Sequence, residues 1–341
     1  MNFRKHYIQL IILALVLCTV YLISRAGRRG EYVSIAGFTQ GTTYHITYEC
    51  KKGENLKMAI DSLLADFDMS LSSYKPNSLI SRFNRNEPGV KADQKFTEVF
   101  NKSYEVYRKT DGAFDITVAP IVNALGFGPS DTMDVDSATI DSLLQYVGMD
   151  KVTLHGNSLI KQDTHITLDV NALAQGYSVD IVAAFLGKLN FRNYMVEIGG
   201  EVRAKGKNAH GQIWRIGIDR PREGNYIPGA DLQAIIRLDN RSLATSGNYR
   251  KFYEKNGIKY VHTIDPKSGY PVISNLLSAT VVAKDCMTAD AYATAFMVFG
   301  IERSIQFLKE NNFLEAYLIY SDDKGSFRVF STPGLNKFIA E

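Results

Sequence analysis

Two rhythms of apolar and polar positions run along this chain. Alternation at a period of two, carried by β-branched and aromatic residues, predicts strands at 42–50, 213–219, 233–238 and 276–283, and a pair within 194–205 around Gly199-Gly200. A first strand is expected within 31–41, and two more, 315–320 and 326–330, close the chain. Apolar residues three and four apart predict helices: Leu56, Ile60, Leu63, Leu64 and Phe67 over 55–71, then 96–109, 135–146, 173–189, 287–300 and 303–311. Residues 167–172 alternate and read as a strand running into a turn. A short strand at 260–264 meets Asp265-Pro266 and Ser268-Gly269, which are turn chemistry, and Pro271 stops it. The expected fold is α+β, with mixed or antiparallel sheets, helices packed on them and no Rossmann unit. A division near residue 190 stays open.

The N-terminus keeps neither rhythm. Arg4 and Lys5 precede a charge-free run, 7–24, followed by Arg25, Arg28 and Arg29. The run is at the lower limit of a membrane-spanning helix and longer than most signal-peptide cores. The expectation is an uncleaved signal anchor over 1–30, with 31–341 as the domain it exports. A lipoprotein signal at Cys18 is the alternative, although Leu17 before it is large for a lipid-attachment site, and ordinary cleavage is the third reading.

This segment also explains the charge. It holds five Lys/Arg and no Asp/Glu, so the net +3 belongs to it, and the remaining 34 basic and 36 acidic residues nearly cancel. A near-neutral domain has no electrostatic footprint for nucleic acid. Of the three cysteines, Cys50 and Cys286 lie in the globular part without a CxxC, and the six histidines form no HxH or HExxH.

Candidate chemistry sits in a few places. His262 lies near the end of a strand before a Gly-containing loop, a position suited to catalysis and equally to a half-buried structural histidine. Asp290 and Thr294 are four apart on one helix face, among small and apolar neighbours. Such oxygens without His or Cys suit Mg²⁺ or Ca²⁺; the plain alternative is a solvated face or a side-chain hydrogen bond. Asp169 and Asn171 flank a helix start, which favours an anion or a simple cap. Tyr74 is an aromatic on a polar loop, open to stacking on a planar ligand or to covering a core edge. The glycines around Asp115, in 112–129, have neither Walker nor GxGxxG spacing. TSGNYR, 245–250, reads as a loop of hydroxyls around a glycine.

The order of motifs is more specific than any one of them. GTTYHI, SSYKPNSLISRFN, GAFDITVAPIVNALGFGP, LDVNALAQGYSVD, VEIGGEVRAKG, LATSGNYR, HTIDPKSGYP and CMTADAYATA, spread from about Gly37 to Phe330, resemble the FAD:protein FMN transferases, the ApbE/Ftp family. The resemblance implies a Mg²⁺-dependent enzyme that splits FAD at its pyrophosphate. It would attach FMN through its phosphate to a Thr or Ser of a partner flavoprotein and release AMP. The implied location is the outer side of a bacterial cytoplasmic membrane, facing the periplasm, and the implied acceptors are subunits of Nqr- and Rnf-type electron-transfer complexes.

Carried over residue by residue, the resemblance places Mg²⁺ on Asp290, Thr294 and the Ala172 carbonyl. It places FAD against Tyr74, Ala113, Phe114, Asp115, Asp169, Gln175 and Ile264, and makes His262 the base for the acceptor hydroxyl. Two positions depart from the pattern. Gln40-Gly41-Thr42 stands where the family often has Met-Gly-Thr, and Gln175 where it often has Lys or Glu, so a charge role is lost there. The rival readings are an FAD pyrophosphatase giving FMN and AMP, and a non-catalytic FAD-binding membrane protein.

Overall fold

A computed structural model describes residues 15–17, 19, 30–50, 53–128, 135–222, 224–225, 227, 229–248, 252–255, 258–261 and 263–340, the segments 252–255 and 258–261 by backbone alone. His262 and nearly all of the 1–30 segment lie outside the described residues. Among the described residues no helix is long and apolar enough to cross a membrane.

The sheet opens with a hairpin of β1 (Glu31–Thr39) and β2 (Thr42–Cys50). Its two-residue turn puts Gln40 (φ 51°) and Gly41 (φ 73°) in the left-handed region, the geometry that matches the twist of paired strands. Three helices follow: α1 (Lys57–Leu71), α2 (Leu79–Asn84) and α3 (Gln94–Lys109), the last capped by the Asp93 side chain. Two short helices come next, α4 (Ala119–Ala124) and α5 (Ser137–Leu144), then a small hairpin of β3 (Val152–His155) and β4 (Ser158–Lys161). The long α6 (Asn171–Lys188) leads into β5 (Tyr194–Ile198) and β6 (Glu201–Lys205). A hairpin of β7 (Trp214–Asp219) and β8 (Leu232–Leu238) precedes β9 (Arg241–Gly247) and the ribbon of β10 (Phe252–Lys255) and β11 (Ile258–Val261). Last come β12 (Leu276–Ala283), α7 (Cys286–Glu310), β13 (Glu315–Ser321), β14 (Phe327–Ser331) and α8 (Pro333–Asn336).

One eight-stranded sheet, in the order β1-β2-β5-β6-β9-β12-β13-β14, organises the molecule, and every neighbouring pair in it is antiparallel. It runs across residue 190, because β2 pairs with β5. The period-two pattern sorts its two faces. Leu243, Val282, Tyr317 and Ile319 pack against Trp214, Ile236 and Leu238 of the β7–β8 hairpin. Their neighbours Ala244, Val281, Ala316 and Leu318 turn the other way, into the core shared with α6 and α7. Ala289, Ala291, Ala293 and Ala295 are fully buried on α7, and short side chains of this kind let a helix lie close to what it packs on.

Two expectations from the sequence are corrected. Residues 167–170 form no strand, and Asn171 and Ala172 already belong to α6: the Asn84 side chain donates to Leu168 O (2.9 Å) and accepts from Leu168 N (2.8 Å), and Asp169 N donates to Ile116 O (2.7 Å). A side chain and a loop thus take the bonds that a neighbouring strand would have taken. Thr245, Ser246 and Gly247 belong to β9 and pair with β12, so the first half of TSGNYR is strand rather than loop. The division expected between 287–300 and 303–311 is present: within α7, Gly300 takes a non-helical φ of 74° and ψ of −180° and separates two helical stretches across a kink.

Candidate active site

The site grows from the start of α6. Asp169 Oδ1 accepts the Asn171 N–H (2.8 Å), and the Val170 carbonyl accepts from Leu173 and Ala174 (3.1 and 2.8 Å), which closes the first turn. Burial raises the Asp169 carboxyl above the usual range, against the lowering effect of its hydrogen bonds with Asn171. The Tyr74 phenol is close enough for the Asp169 charge to raise it as well, behind the larger effect of desolvation. Tyr74 is 61% exposed on a loop that is itself firmly held. Ser78 Oγ donates to Ser72 O (2.6 Å), Ser81 Oγ reaches Ser72 O and Ser73 O (both 3.3 Å), and Lys75 pairs with Asp68 (3.3 Å). An exposed ring on a braced loop is a ready stacking surface.

Further along α6, Gly176 N donates to Asp290 Oδ2 (2.9 Å) across to α7. By α-helical spacing that same N–H faces the Ala172 carbonyl, so the carbonyl and the carboxylate gather around one donor. Gly176 is required here by contact, not by φ. A Cβ on it would lie 2.5 Å from Cys286 O and 2.8 Å from Asp290 Cβ. One turn on from Asp290, Thr294 Oγ1 lies 3.3 Å from Ser246 Oγ on β9. Asp290 is buried, and among the described residues no Lys or Arg pairs with it. Burial drives its pKa well up, the Asp180 charge adds to the rise, and the Gly176 N–H opposes both. Among the described residues no group of three or more His, Cys, Asp or Glu gathers as a metal cluster. The donors available here are one carboxylate, two hydroxyls and a main-chain carbonyl.

The remaining predicted contacts divide between backbone and side chain. Asp115 is buried, and its oxygens are taken within the protein: Oδ1 by Thr117 N (2.8 Å) and Thr117 Oγ1 (2.5 Å), Oδ2 by Met149 N (3.3 Å). Burial lifts its pKa to about 6. Ala113 and Phe114 are buried too, so 113–115 can offer a ligand chiefly backbone. Ile264 packs with Ile121 and Ile140 and bridges to Pro271, which likewise leaves backbone. Its loop is closed by Gly269 N to Asp265 O (2.8 Å) and Asp265 N to Tyr270 O (2.9 Å), with Gly269 at φ 76°. Gln175 Nε2 donates to Ile198 O (3.2 Å), so its amide fastens α6 to the β5–β6 turn.

A cavity of about 790 Å³ lies between the end of α3 and the 265–269 loop, lined by Tyr107, Arg108, Gly112, Asp115, Gly148 and Lys267 among others. Asp290, Thr294, Ala172 and Gln175 do not line it. The two regions are joined through bonded neighbours. Asp169 links Ile116 to the start of α6, and Asn248, just past β9, accepts from Thr263 Oγ1 (2.9 Å) beside Ile264. The structure thus places Tyr74 near Asp169 and Asp290 against Gly176, one turn past Ala172, with Thr294 one turn further along α7 and 113–115 and Ile264 on linked loops. His262 lies outside the described residues.

Sequence reasoning missed Asp180 and Arg203. Asp180 Oδ2 accepts from Cys286 N (2.8 Å) and Met287 N (2.9 Å), and Oδ1 pairs with Arg203 (2.8 Å). The signal was present in the spacing 172, 176, 180, one face of a helix.

Fold and site together define an α+β protein built on one antiparallel sheet, whose candidate site joins a helix start to a carboxylate–hydroxyl pair, and not a dinucleotide-binding Rossmann protein. The chain belongs to the ApbE family, whose model matches residues 40–318. It is 38% identical over 310 residues to a protein of Haemophilus influenzae named FAD:protein FMN transferase, covering 86% of this chain and 88% of that one. A protein of the same name from Vibrio cholerae is 35% identical over 334 residues, with 95% and 98% covered. The solved structure of the flavin transferase ApbE from Vibrio cholerae superposes with a TM-score of 0.81 at 35% identity, covering 90% of this chain and 99% of that chain.

Proposed function

We propose that this chain is a FAD:protein FMN transferase that uses Mg²⁺, cleaving FAD and placing FMN on a Thr or Ser of an acceptor flavoprotein with release of AMP. Family membership and the names of its relatives support the transfer. The observation that carries the cation is Asp290: a buried carboxylate with no basic partner among the described residues, beside the Thr294 hydroxyl and facing the Ala172 turn of α6. A carboxylate in that setting needs a counter-charge, and hard oxygen donors fit Mg²⁺. Asp290, Thr294 and the Ala172 carbonyl would hold the ion, whose contribution when bound is to neutralise the pyrophosphate oxygens.

The rest falls to the chain. Tyr74 stacks on a ring of the ligand, and the backbone of 113–115 and of Ile264 orients it. The acceptor hydroxyl oxygen forms a bond to the FMN phosphorus as the P–O bond to AMP breaks. His262 takes the hydroxyl proton, a task suited to an imidazole near neutral pH. The acceptors carried by the family resemblance are Nqr- and Rnf-type subunits, and the location is the outer face of the cytoplasmic membrane, in the periplasm.

The test is incubation of the protein with FAD and Mg²⁺, with and without an acceptor polypeptide. In-gel flavin fluorescence on the acceptor is the expected result. AMP release without acceptor identifies an FAD pyrophosphatase instead, and neither product leaves only a binder. His262→Ala is expected to lose transfer by about 100-fold or more while FAD affinity stays within about two-fold, by fluorescence titration.

A further inference from the structure

Helices α6 and α7 meet along two stripes of residues four apart: Ala172, Gly176 and Asp180 on one, and Cys286, Asp290 and Thr294 on the other. The contact at Gly176 is as close as backbones allow, because a Cβ there would strike Cys286 O. The contact at Asp180 is polar. Its Oδ2 accepts the N–H groups of Cys286 and Met287, the first two residues of α7, which have no partner within their own helix.

Two carboxylates divide the free N–H groups at this end between them, and the second brings a repulsion that a cap alone would not need. Asp285 already caps α7 from within, accepting Thr288 N (2.9 Å), and its charge pushes against that of Asp180. Arg203 offsets this repulsion. Its Nη1 bonds Asp180 Oδ1 (2.8 Å) and also Lys284 O (3.0 Å), which ties β6 to the segment entering α7. Both side chains are largely enclosed, Asp180 15% and Arg203 22% exposed.

We propose that Asp180, clamped by Arg203, is a positioning residue that fixes the register of α7 against α6 and so holds Asp290 at the Ala172 turn in the geometry a divalent cation requires. A slip of one helix along the other would carry Asp290 and Thr294 away from the Ala172 carbonyl, while the sheet and the flavin-facing loops stayed in place. The role rests on the cation reading given above.

The test is Mn²⁺ binding to the full chain, read by electron paramagnetic resonance of the free ion, alongside FAD affinity in EDTA and melting temperature without cation. Asp180→Ala is expected to weaken Mn²⁺ binding by about ten-fold or more, as loss of an orienting partner does, and to leave FAD affinity in EDTA unchanged. Arg203→Met, which keeps the carboxylate but frees it, is expected to weaken Mn²⁺ binding by a smaller factor. Wild-type Mn²⁺ affinity in Asp180→Ala overturns the proposal, even if that variant melts earlier. Should Asp180→Ala not fold, Asp180→Asn and Arg203→Met decide, and unchanged affinity in both overturns it. A wild-type chain that binds no Mn²⁺ overturns the cation reading itself and this role with it, an outcome distinct from wild-type binding that the variants share.

Discussion

Asp290 and Asp115 are both buried carboxylates, yet they differ in what surrounds them. Among the described residues Asp115 has three hydrogen-bond donors on its two oxygens, whereas Asp290 has the Gly176 N–H alone. Asp290→Asn keeps an acceptor for that N–H and removes the charge. It is therefore expected to raise the melting temperature of the cation-free protein by a few degrees and to abolish any rise on adding Mg²⁺, both read by calorimetry. Asp115 makes a pH prediction. Its folded pKa of about 6 exceeds the usual 3.8, so the folded state binds the proton first as pH falls. Its contribution to stability improves from about pH 6 down towards 4 and is least favourable above 6, on the order of 3 kcal/mol between the limits. Urea midpoints from pH 4 to 7 should show this component in the wild type and its loss in Asp115→Asn.

Elements were legible where one face is buried and the bonding is local. The strand at 42–50 matches its alternation, and 276–283 does so with a buried Val/Ala run. Legibility failed where a partner distant in sequence supplied the bonding. Alternation at 167–170 resembles a strand, but Asn84 takes its backbone bonds. The hydroxyls of 245–246 resemble a loop, but they face Thr280 and Thr294 across β9. Asp290 with Thr294 was readable because both lie on one helix; Asp180 acts on a helix a hundred residues away in sequence, and its partner could not be read from local spacing. The α6–α7 contact makes the prediction at this scale. Gly176→Ala must push the helices apart against backbone, at a cost of about 1–3 kcal/mol, and should lower Mn²⁺ affinity and melting temperature together. An unchanged melting temperature would show that the contact is looser than the geometry requires.

At the scale of the molecule, the sheet begins at Glu31 and its core at Ile35, with no buried core residue recorded before them among the described residues. A chain of residues 31–341 is therefore expected to melt within a few degrees of the full one and to flavinylate a soluble acceptor at a rate within about two-fold. Loss of transfer in that fragment would mean that the first thirty residues contribute to the site.

The Gly176–Asp290 bond joins positions 114 apart in the chain. Closing so long a loop is slow and must be compensated by the packing of everything between. A polypeptide still emerging from its ribosome has the first helix of this pair but not the second, and it can assemble neither the carboxylate–hydroxyl pair nor the loop after β11. On the proposed function, a chain ending before α7 lacks Asp290 and Thr294 and is expected to transfer no flavin, an outcome that in-gel fluorescence of an acceptor would read.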